Sequence, residues 1–581
     1  MFCYVKSAHG QPLQYKGSIP AILEGQLYYK LPQKKIQDSF VDQRGDFILI
    51  FEGIVANASE IINRYGVKCL QDVIWKACET PHIIAELHGQ FRIFILNTVC
   101  GDFKAFNNPT NNCRVYYWHE NGALVVADSI HTVMQVLLGS GITPKVSLLG
   151  ARMLLSYGYM LEEYSTIENI RSLPSAGGLR FLDDKLSVER YHEWSSKILY
   201  SDPRQCASEI DRLFTKAVTQ AFSRDEEGKH LAFLSGGLDS RMTVYCAHAA
   251  GFRNFQTLVF SEPGYLDVTI ARSIAAELGL ESNFYSLEKG NYLSNLAENL
   301  VYNDGQIILH GAAHLFRAIR DYEPGDYAIL HSGQIGAIMQ GNFLQGGQHS
   351  NPDISAAAYS DKILGSFIHE MKGLETKYRN QELLLLHNRG FNGAINGDLA
   401  CYPSTHSISP FLAPEFLQYT LNIDPKIRIG TKLFFQWINS CHPRAGRHVW
   451  EKTNARPTAP RWLVKSKYYL WRGSNKIKRK LTGEPNRLSM NPFDYWWAKN
   501  PVLRGIIRKD MTCIEEILPT LDPELAKDLL CMSQSPSFSE RLQAYSLARG
   551  LQYLYGSMDE IDLQRCPRAG TNNTMIPRES I

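Results

Sequence analysis

Short apolar runs, each closed by turn residues, dominate the first 135 positions of the chain. Asp46–Phe51 and Gln90–Leu96 read as strands, and Asn107–Asn112, with Pro109 inside it, reads as a turn. Arg114–Trp118 and Ala123–Ala127 predict a pair of strands joined by His119-Glu120-Asn121-Gly122. The clearest helical spacing here runs across Leu70–Ala77. The pattern predicts a mostly β domain over 1–135 with a helix or two. Residues 136–203 predict a connector: a helical stretch over Leu148–Tyr157, then short strands ending at Tyr191–Trp194.

From residue 204 the pattern alternates helix and strand. A helix is expected over Gln205–Phe222, a short buried strand at Leu231–Leu234, and a turn at Ser235-Gly236-Gly237. Asp239–Ala250 follows as a helix with Gly251 as its stop, then a strand at Gln256–Phe260 and a helix at Val268–Leu278. Strand–turn–helix units of this length predict a parallel, doubly wound α/β sheet over 204–460. A helical extension is expected over 461–563, where Ser537 and Glu540 have the spacing of a capping box for a helix reaching Tyr555. The tail, 564–581, is polar and is expected to be disordered.

Composition narrows the classes. At 581 residues the chain exceeds one hydrophobic core, so two or three domains are expected. With 44% hydrophobic and 20% charged residues it reads as an ordinary soluble protein. A net charge of +3 is too small to argue for nucleic acid as main partner. No apolar run is long enough for a membrane span, and the N-terminus has no signal-peptide core, so a cytoplasmic location is expected. The 12 cysteines form no CxxC pair, which favours reduced thiols over disulfides or structural zinc. Residues 465–480 carry seven basic side chains, Lys465 to Lys480, and no acid. That is a solvated linker or helix face, with contact to anionic lipid or a polyanionic substrate as the alternative.

The segment with chemistry is Leu234-Ser235-Gly236-Gly237-Leu238-Asp239-Ser240-Arg241, between a buried strand and a helix. Paired glycines let backbone approach a ligand closely. Amides of the loop and first helical turn, with the helix dipole, favour an anion there. Ser235 and Ser240 add hydroxyls. Asp239 would repel a phosphate unless it holds a Mg²⁺ that the phosphates share. A Gly-rich turn that only packs strand on helix is the alternative. GxxxxGK[ST] is absent, which disfavours a Walker-type NTPase.

SGGLDS resembles the pyrophosphate loop of the asparagine synthetase family, which includes amide-forming cyclases. The resemblance extends over about residues 46–455. Glu52–Asn57 looks like the family's NGEIYN strand, Leu87–Phe91 like LDGxF, Thr166–Trp194 like its connector, and Glu262–Leu280 like the segment after the second strand. His331–Gly336 looks like the second nucleotide-side loop, and Ser409–Leu412 with Asp424–Arg428 like C-terminal helical signatures. The resemblance implies an N-terminal Ntn-hydrolase-like α+β sandwich, of glutaminase type, followed by an ATP pyrophosphatase domain. It implies ATP and Mg²⁺, a small-molecule or saccharide carboxylate activated as an acyl-adenylate, and an ammonia or amine donor. By resemblance, Leu234, Ser235, Gly236, Gly237, Leu238, Asp239 and Ser240 hold the pyrophosphate end. Val259 lies beside adenine, Ser332 and Gly333 border the ribose or α-phosphate, Asp239 is the metal ligand, and Lys452 stabilises the pentavalent phosphate, with a plain surface lysine as the alternative.

The pattern breaks in two places. In the second loop, Ala337 and Ile338 stand where the family has Asp and Glu, which removes a metal ligand. Asp304 is a candidate replacement, or else an ordinary turn residue in Asn303-Asp304-Gly305. His310 and His314, four apart on an expected helix, could face one site or simply pack. In the N-terminal domain the chain opens Met1-Phe2-Cys3, so Cys3 carries no free amine. Glu52 replaces the Asn that donates to the oxyanion, and the early HRGPD-like segment is missing. An inactive glutaminase domain is expected. The leading reading is an ATP-dependent amide-forming ligase. The alternatives are a catalytically impaired scaffold of the same fold, and another pyrophosphatase chemistry such as RNA thiolation.

Overall fold

In the computed structural model, the described residues are 1–7, 13, 22–23, 27–31, 34, 37–225, 229–322, 327–344, 350–460, 462–470, 473 and 489–556. The expected tail and most of the basic run after Leu470 lie outside them.

The N-terminal part is two six-stranded antiparallel sheets face to face. One runs, in spatial order, Ile170–Ser172, Tyr116–Glu120, Ala123–Ala127, Phe2–Lys6, Leu27–Tyr29 and Ile22–Leu23. The other runs Lys185–Arg190, Gly177–Leu182, Phe103–Asn107, Gly89–Asn97, Phe47–Val55 and Phe40–Arg44. Alternation builds the layers. Phe2, Tyr4, Ile48 and Ile50 fill the space between the sheets. Leu49, Phe51 and Val55 meet helices Ala58–Tyr65 and Leu70–Glu79 outside one sheet. Cys3 and Val5 meet helix Ile130–Gly139 outside the other. The result is an α+β four-layer sandwich. The expected connector contributes three of its strands, Ile170–Ser172, Gly177–Leu182 and Lys185–Arg190, so the sandwich extends well past residue 135. Short strands separated from their partners by a helix gave no signal of where they pair.

The second unit is a five-stranded parallel sheet, in order Ser282–Ser286, Phe255–Ser261, Lys229–Phe233, Tyr327–His331 and Ser407–Ile408. Helices Pro203–Phe222, Asp239–Ala249, Leu266–Leu278 and Lys432–Cys441 share a core on one face. Ala313–Tyr322 and Asn396–Cys401 cover the other. Sequential strands depart from the central strand Lys229–Phe233 in opposite directions, which makes a topological switch point at its carboxyl end. Helices from Phe493 to Leu554 pack, with Leu148–Tyr157, onto the large core that also includes the outer layer of the sandwich.

The helix expected from Ser537 is Phe538–Leu554, but the capping box does not form. Ser537 makes no side-chain cap, and Glu540 instead accepts from the hydroxyls of Ser360 and Ser535, while Asp494 accepts from the Phe538 amide. Tertiary partners outcompeted the local one. All described cysteines are free, and no helix among the described residues is long and apolar enough to cross a membrane.

Helix Gln381–Leu385 is tied to Arg428 by a fully buried pair, with Arg428 Nη1 and Nη2 donating to Glu382 at 2.6 and 2.8 Å. Removing one partner strands a charge in the core. Glu382→Ala is expected to lose about 3–5 kcal/mol in urea denaturation. Glu209→Ala, which breaks an exposed pair with Arg212, is expected to lose less than about 1 kcal/mol.

Candidate active site

The loop 234–241 sits at the switch point. Leu234 and Leu238 are buried in the helix-side core and anchor it. Ser235, Gly237, Asp239 and Ser240 line a cavity of about 530 Å³. The glycine amides are not aimed at that cavity. Gly236 N donates to Asp267 Oδ1 at 2.7 Å, and Gly237 N donates to Ser235 Oγ at 3.1 Å. The expectation that both glycines present their N–H groups to a ligand is corrected here, because side chains 31 and 2 residues away satisfy them first. The amides of the first turn, Asp239 to Arg241, precede the first intrahelical bond, which Met242 N donates to Leu238 O at 3.1 Å. Ser240 Oγ accepts from Ser235 N at 3.1 Å and lies 3.1 Å from Ser235 Oγ, so the loop holds its own shape.

Arg241 locks that shape from behind. It is fully buried and donates to four carbonyls: Gly236, Ala445, His448 and Val449. Burial lowers its pKa to about 10. Through it the segment 445–449 is bound to the loop, and Glu451 N reaches Gly236 O at 3.4 Å. Lys452 is thereby carried to the loop's rim, where its ammonium stacks 5.3 Å from the Trp450 ring and pulls on the Asp239 carboxylate. Burial pushes Asp239 up to about 6, against the opposing effects of Gln340 and Lys452.

Gln340 is the residue that sequence reasoning missed. Its Nε2 donates to both Asp239 oxygens, at 2.8 and 2.9 Å. It lies on the turn after the second loop, three positions beyond Ala337, and nothing in the spacing marked it. Its own Oε1 is buried without a partner among the described residues. Ile335 adopts φ 65°, a strained choice for a β-branched residue, as the second loop bends round Asp239. Asp304 does not substitute for the missing Asp. It lines a different cavity with Arg92 and Asp128, accepts from Ile130 N at 3.2 Å, and is raised by burial to about 7.

As for the other expected residues, Ser332 and Gly333 line the cavity, with Ser332 Oγ donating to Asp398 Oδ1 at 3.2 Å. Val259 is buried with its side chain in the helix-side core, and its neighbour Phe260 lines the cavity instead. His310 and His314 do not share a site. His310 precedes helix Ala313–Tyr322 and lies 3.3 Å from Ser539 Oγ. His314 lines the cavity, kept neutral by burial, which lowers it to about 4. The far wall is formed by Tyr159, Tyr359, Arg389 and Asn396. Arg389 comes from a π-helical segment, Leu386–Ala394. Asn396 is buried, and neither end of its amide has a partner among the described residues.

A Mg²⁺ fits this donor set in one way. Asp239 is the carboxylate facing the cavity, and the orphaned Gln340 Oε1 adjoins it. One carboxylate suits an ion held mainly by substrate phosphates and waters, not a cage of protein oxygens.

An ion-pair cluster lies where the resemblance would place a glutaminase site. Glu52 pairs with Arg92 at 2.7 Å, Arg92 pairs with Asp128 at 3.0 Å, and Tyr402 of the second unit bonds Glu52. Burial would raise Glu52, but Arg92 and the terminal ammonium outweigh it and hold the carboxyl at about 2. Cys3 lies within a strand, opposite Tyr28 and Ala127, wholly buried, and burial raises its thiol far above the usual range.

Strand, SGGLDS loop and helix lie at the switch point of a doubly wound parallel sheet. Residues 209–322, from the first helix through Ala313–Tyr322, match the asparagine synthase family model. No curated protein matches the sequence. Solved structures with local similarity include three enzymes. One is glutamine phosphoribosylpyrophosphate amidotransferase from B. subtilis complexed with ADP and GMP, with 13% identity, TM-score 0.18, and coverage of 44% of this chain and 64% of that one. Another is NMN synthetase from Francisella tularensis, with 16% identity, TM-score 0.18, and coverage of 38% and 93%. The third is the U34-tRNA thiolase NcsA from Methanococcus maripaludis, with its [4Fe-4S] cluster, at 12% identity, TM-score 0.21, and coverage of 54% and 87%. The chain thus spans less than two thirds of the first of these, and likeness at such scores carries no argument about activity.

Two outcomes follow from the geometry. A Cβ on Gly336 would stand 2.3 Å from Asp239 Cγ. Gly336→Ala is therefore expected to displace the carboxylate and weaken adenine-nucleotide binding at least about tenfold with an unchanged circular dichroism spectrum, as read by calorimetry. In a glutamate-release assay the protein is expected to leave glutamine intact, and Glu52→Asn is expected not to restore hydrolysis, since Cys3 stays buried.

Proposed function

We propose that this protein is an ATP-dependent ligase that joins a carboxylate to ammonia or an amine. The observation that carries the reading is the phosphate loop, braced by Arg241 and Asp267, that opens with Asp239 and Ser240 onto a cavity large enough for a nucleotide and a second substrate. A carboxylate oxygen of the acceptor attacks the α-phosphorus of ATP. The bond from that phosphorus to the bridging oxygen breaks, and pyrophosphate leaves into the amides at the start of helix Asp239–Ala249. The amine nitrogen then attacks the acyl carbon, loses a proton, and AMP departs. Asp239 would hold the Mg²⁺, which offsets charge on the departing diphosphate. Lys452 reaches the α-phosphate from the rim. Tyr159, Tyr359, Arg389 and the unpartnered amide of Asn396 receive the acceptor. Holding both reactants in one cavity supplies most of the rate.

One observation favours a second reading, a nucleotide-binding scaffold. Gln340 satisfies both Asp239 oxygens, and Ala337 and Ile338 offer no further ligand.

Pyrophosphate exchange separates the two. With ATP, Mg²⁺ and a panel of carboxylates, the ligase is expected to exchange labelled pyrophosphate into ATP, Asp239→Ala to abolish it, and Asn396→Ala to raise KM for the acid about tenfold or more with KM for ATP unchanged. Because the reaction needs Asp239 ionised, exchange is expected to rise with pH through a midpoint of about 6 and to level above it. AMP or ATP binding without exchange for any acid would establish the scaffold.

A further inference from the structure

We propose that Asp211, Cys246 and His442 form a zinc site that braces the helix carrying the phosphate loop. Asp211 comes from helix Pro203–Phe222 and Cys246 from helix Asp239–Ala249, while His442 immediately follows helix Lys432–Cys441. One ligand atom of each lies within 4.8 Å of the other two.

The geometry suits a tetrahedral ion. With Zn–S of about 2.3 Å and Zn–N of about 2.0 Å, a thiolate and an imidazole on one zinc stand roughly 3.5 Å apart. Cys246 Sγ is 3.5 Å from His442 Nε2. Asp211 Oδ1 is 2.6 Å from the same nitrogen, a hydrogen bond in the metal-free protein. Opening that pair by under about 1 Å gives the oxygen–nitrogen edge of the same tetrahedron. Thiolate, imidazole and carboxylate together are a donor set for zinc.

The supporting shell is in place. Trp437 Nε1 donates to Asp211 Oδ1 at 2.9 Å, and Thr215 hydrogen-bonds Cys246. Such outer partners fix the orientation of metal ligands. The Asp211 side chain is 29% exposed, which gives the ion a way in and leaves the fourth position to water. An ion pair between Asp211 and His442 accounts for two of the three groups, while a metal uses all three. Cys246 lies seven residues, about 10 Å, along the helix that begins at Asp239. A bound ion would therefore staple that helix to two neighbours behind the cavity. The absence of a CxxC spacing gave no sign of this, because the ligands lie 196 and 231 residues apart.

The test uses the full chain, purified without chelator. One zinc per chain by inductively coupled plasma mass spectrometry is expected. Cobalt(II) added to chelator-treated protein is expected to produce the intense sulfur-to-metal charge-transfer band of a thiolate ligand, lost in Cys246→Ala. Zinc titration is expected to raise the Tm of the wild type, and His442→Ala to bind zinc about 100-fold or more weakly. Circular dichroism of each variant in chelator separates lost metal from lost fold, and the cobalt spectrum of the wild type depends on no variant. No metal as purified, together with no charge-transfer band and no thermal shift in excess zinc, overturns the proposal. So does a band that survives in Cys246→Ala.

Discussion

The buried guanidinium of Arg241 is the constraint on which the site depends. A charge placed in the core needs hydrogen-bond partners, and the two terminal nitrogens of Arg241 find four carbonyls, one in the 234–241 loop and three in the distant 445–449 segment, while Nε has no partner among the described residues. That requirement fixes the loop's curvature and the position of Glu451 and Lys452 at once. Asp267 completes the brace from helix Leu266–Leu278 by taking the Gly236 amide. A loop whose own polar groups are already paired changes little when a ligand arrives, which is the condition for electrostatic preorganisation.

The two halves of the molecule are joined by polar contacts. Tyr402 bonds Glu52, His88 Nε2 meets Ser409 O at 3.0 Å, and the Gln90 side chain meets Ser407 N and Asn112 O. Glu52 is one end of a buried network with Arg92, Asp128 and Tyr402. Such a network is stable only when every member is present. The network forms the seam between the sandwich and the edge of the parallel sheet.

At the second loop, with Ala337 in place of the expected Asp, Asp239 is held by Gln340, whose neutral amide donates to both carboxylate oxygens. Gly333 and Gly336 let the two loops touch: a Cβ on Gly333 would lie 2.8 Å from Ser240 N. The strain at Ile335, of about 1–3 kcal/mol, is carried by the packed surroundings.

The local order of strand, loop and helix from Lys229 to Ala249 follows from residues adjacent in the chain. So the parallel domain, the SGGLDS loop and the helices at 203–222 and 538–554 were legible in sequence. Alternation of apolar and polar positions likewise marked the β character of the first 135 residues, because period 2 is a local property. What lay beyond reach was decided by contacts between residues far apart. Gln340 on Asp239, Asp267 on Gly236, Arg241 on Val449 and Tyr402 on Glu52 are pairings that no spacing encodes. Three strands assigned to a connector joined the sandwich for the same reason: edges of a sheet choose partners by burial and hydrogen bonding in three dimensions. The chain's own local chemistry determined where strand, glycine turn and helix would meet, and only the packed structure decided which buried groups would hold that loop in place.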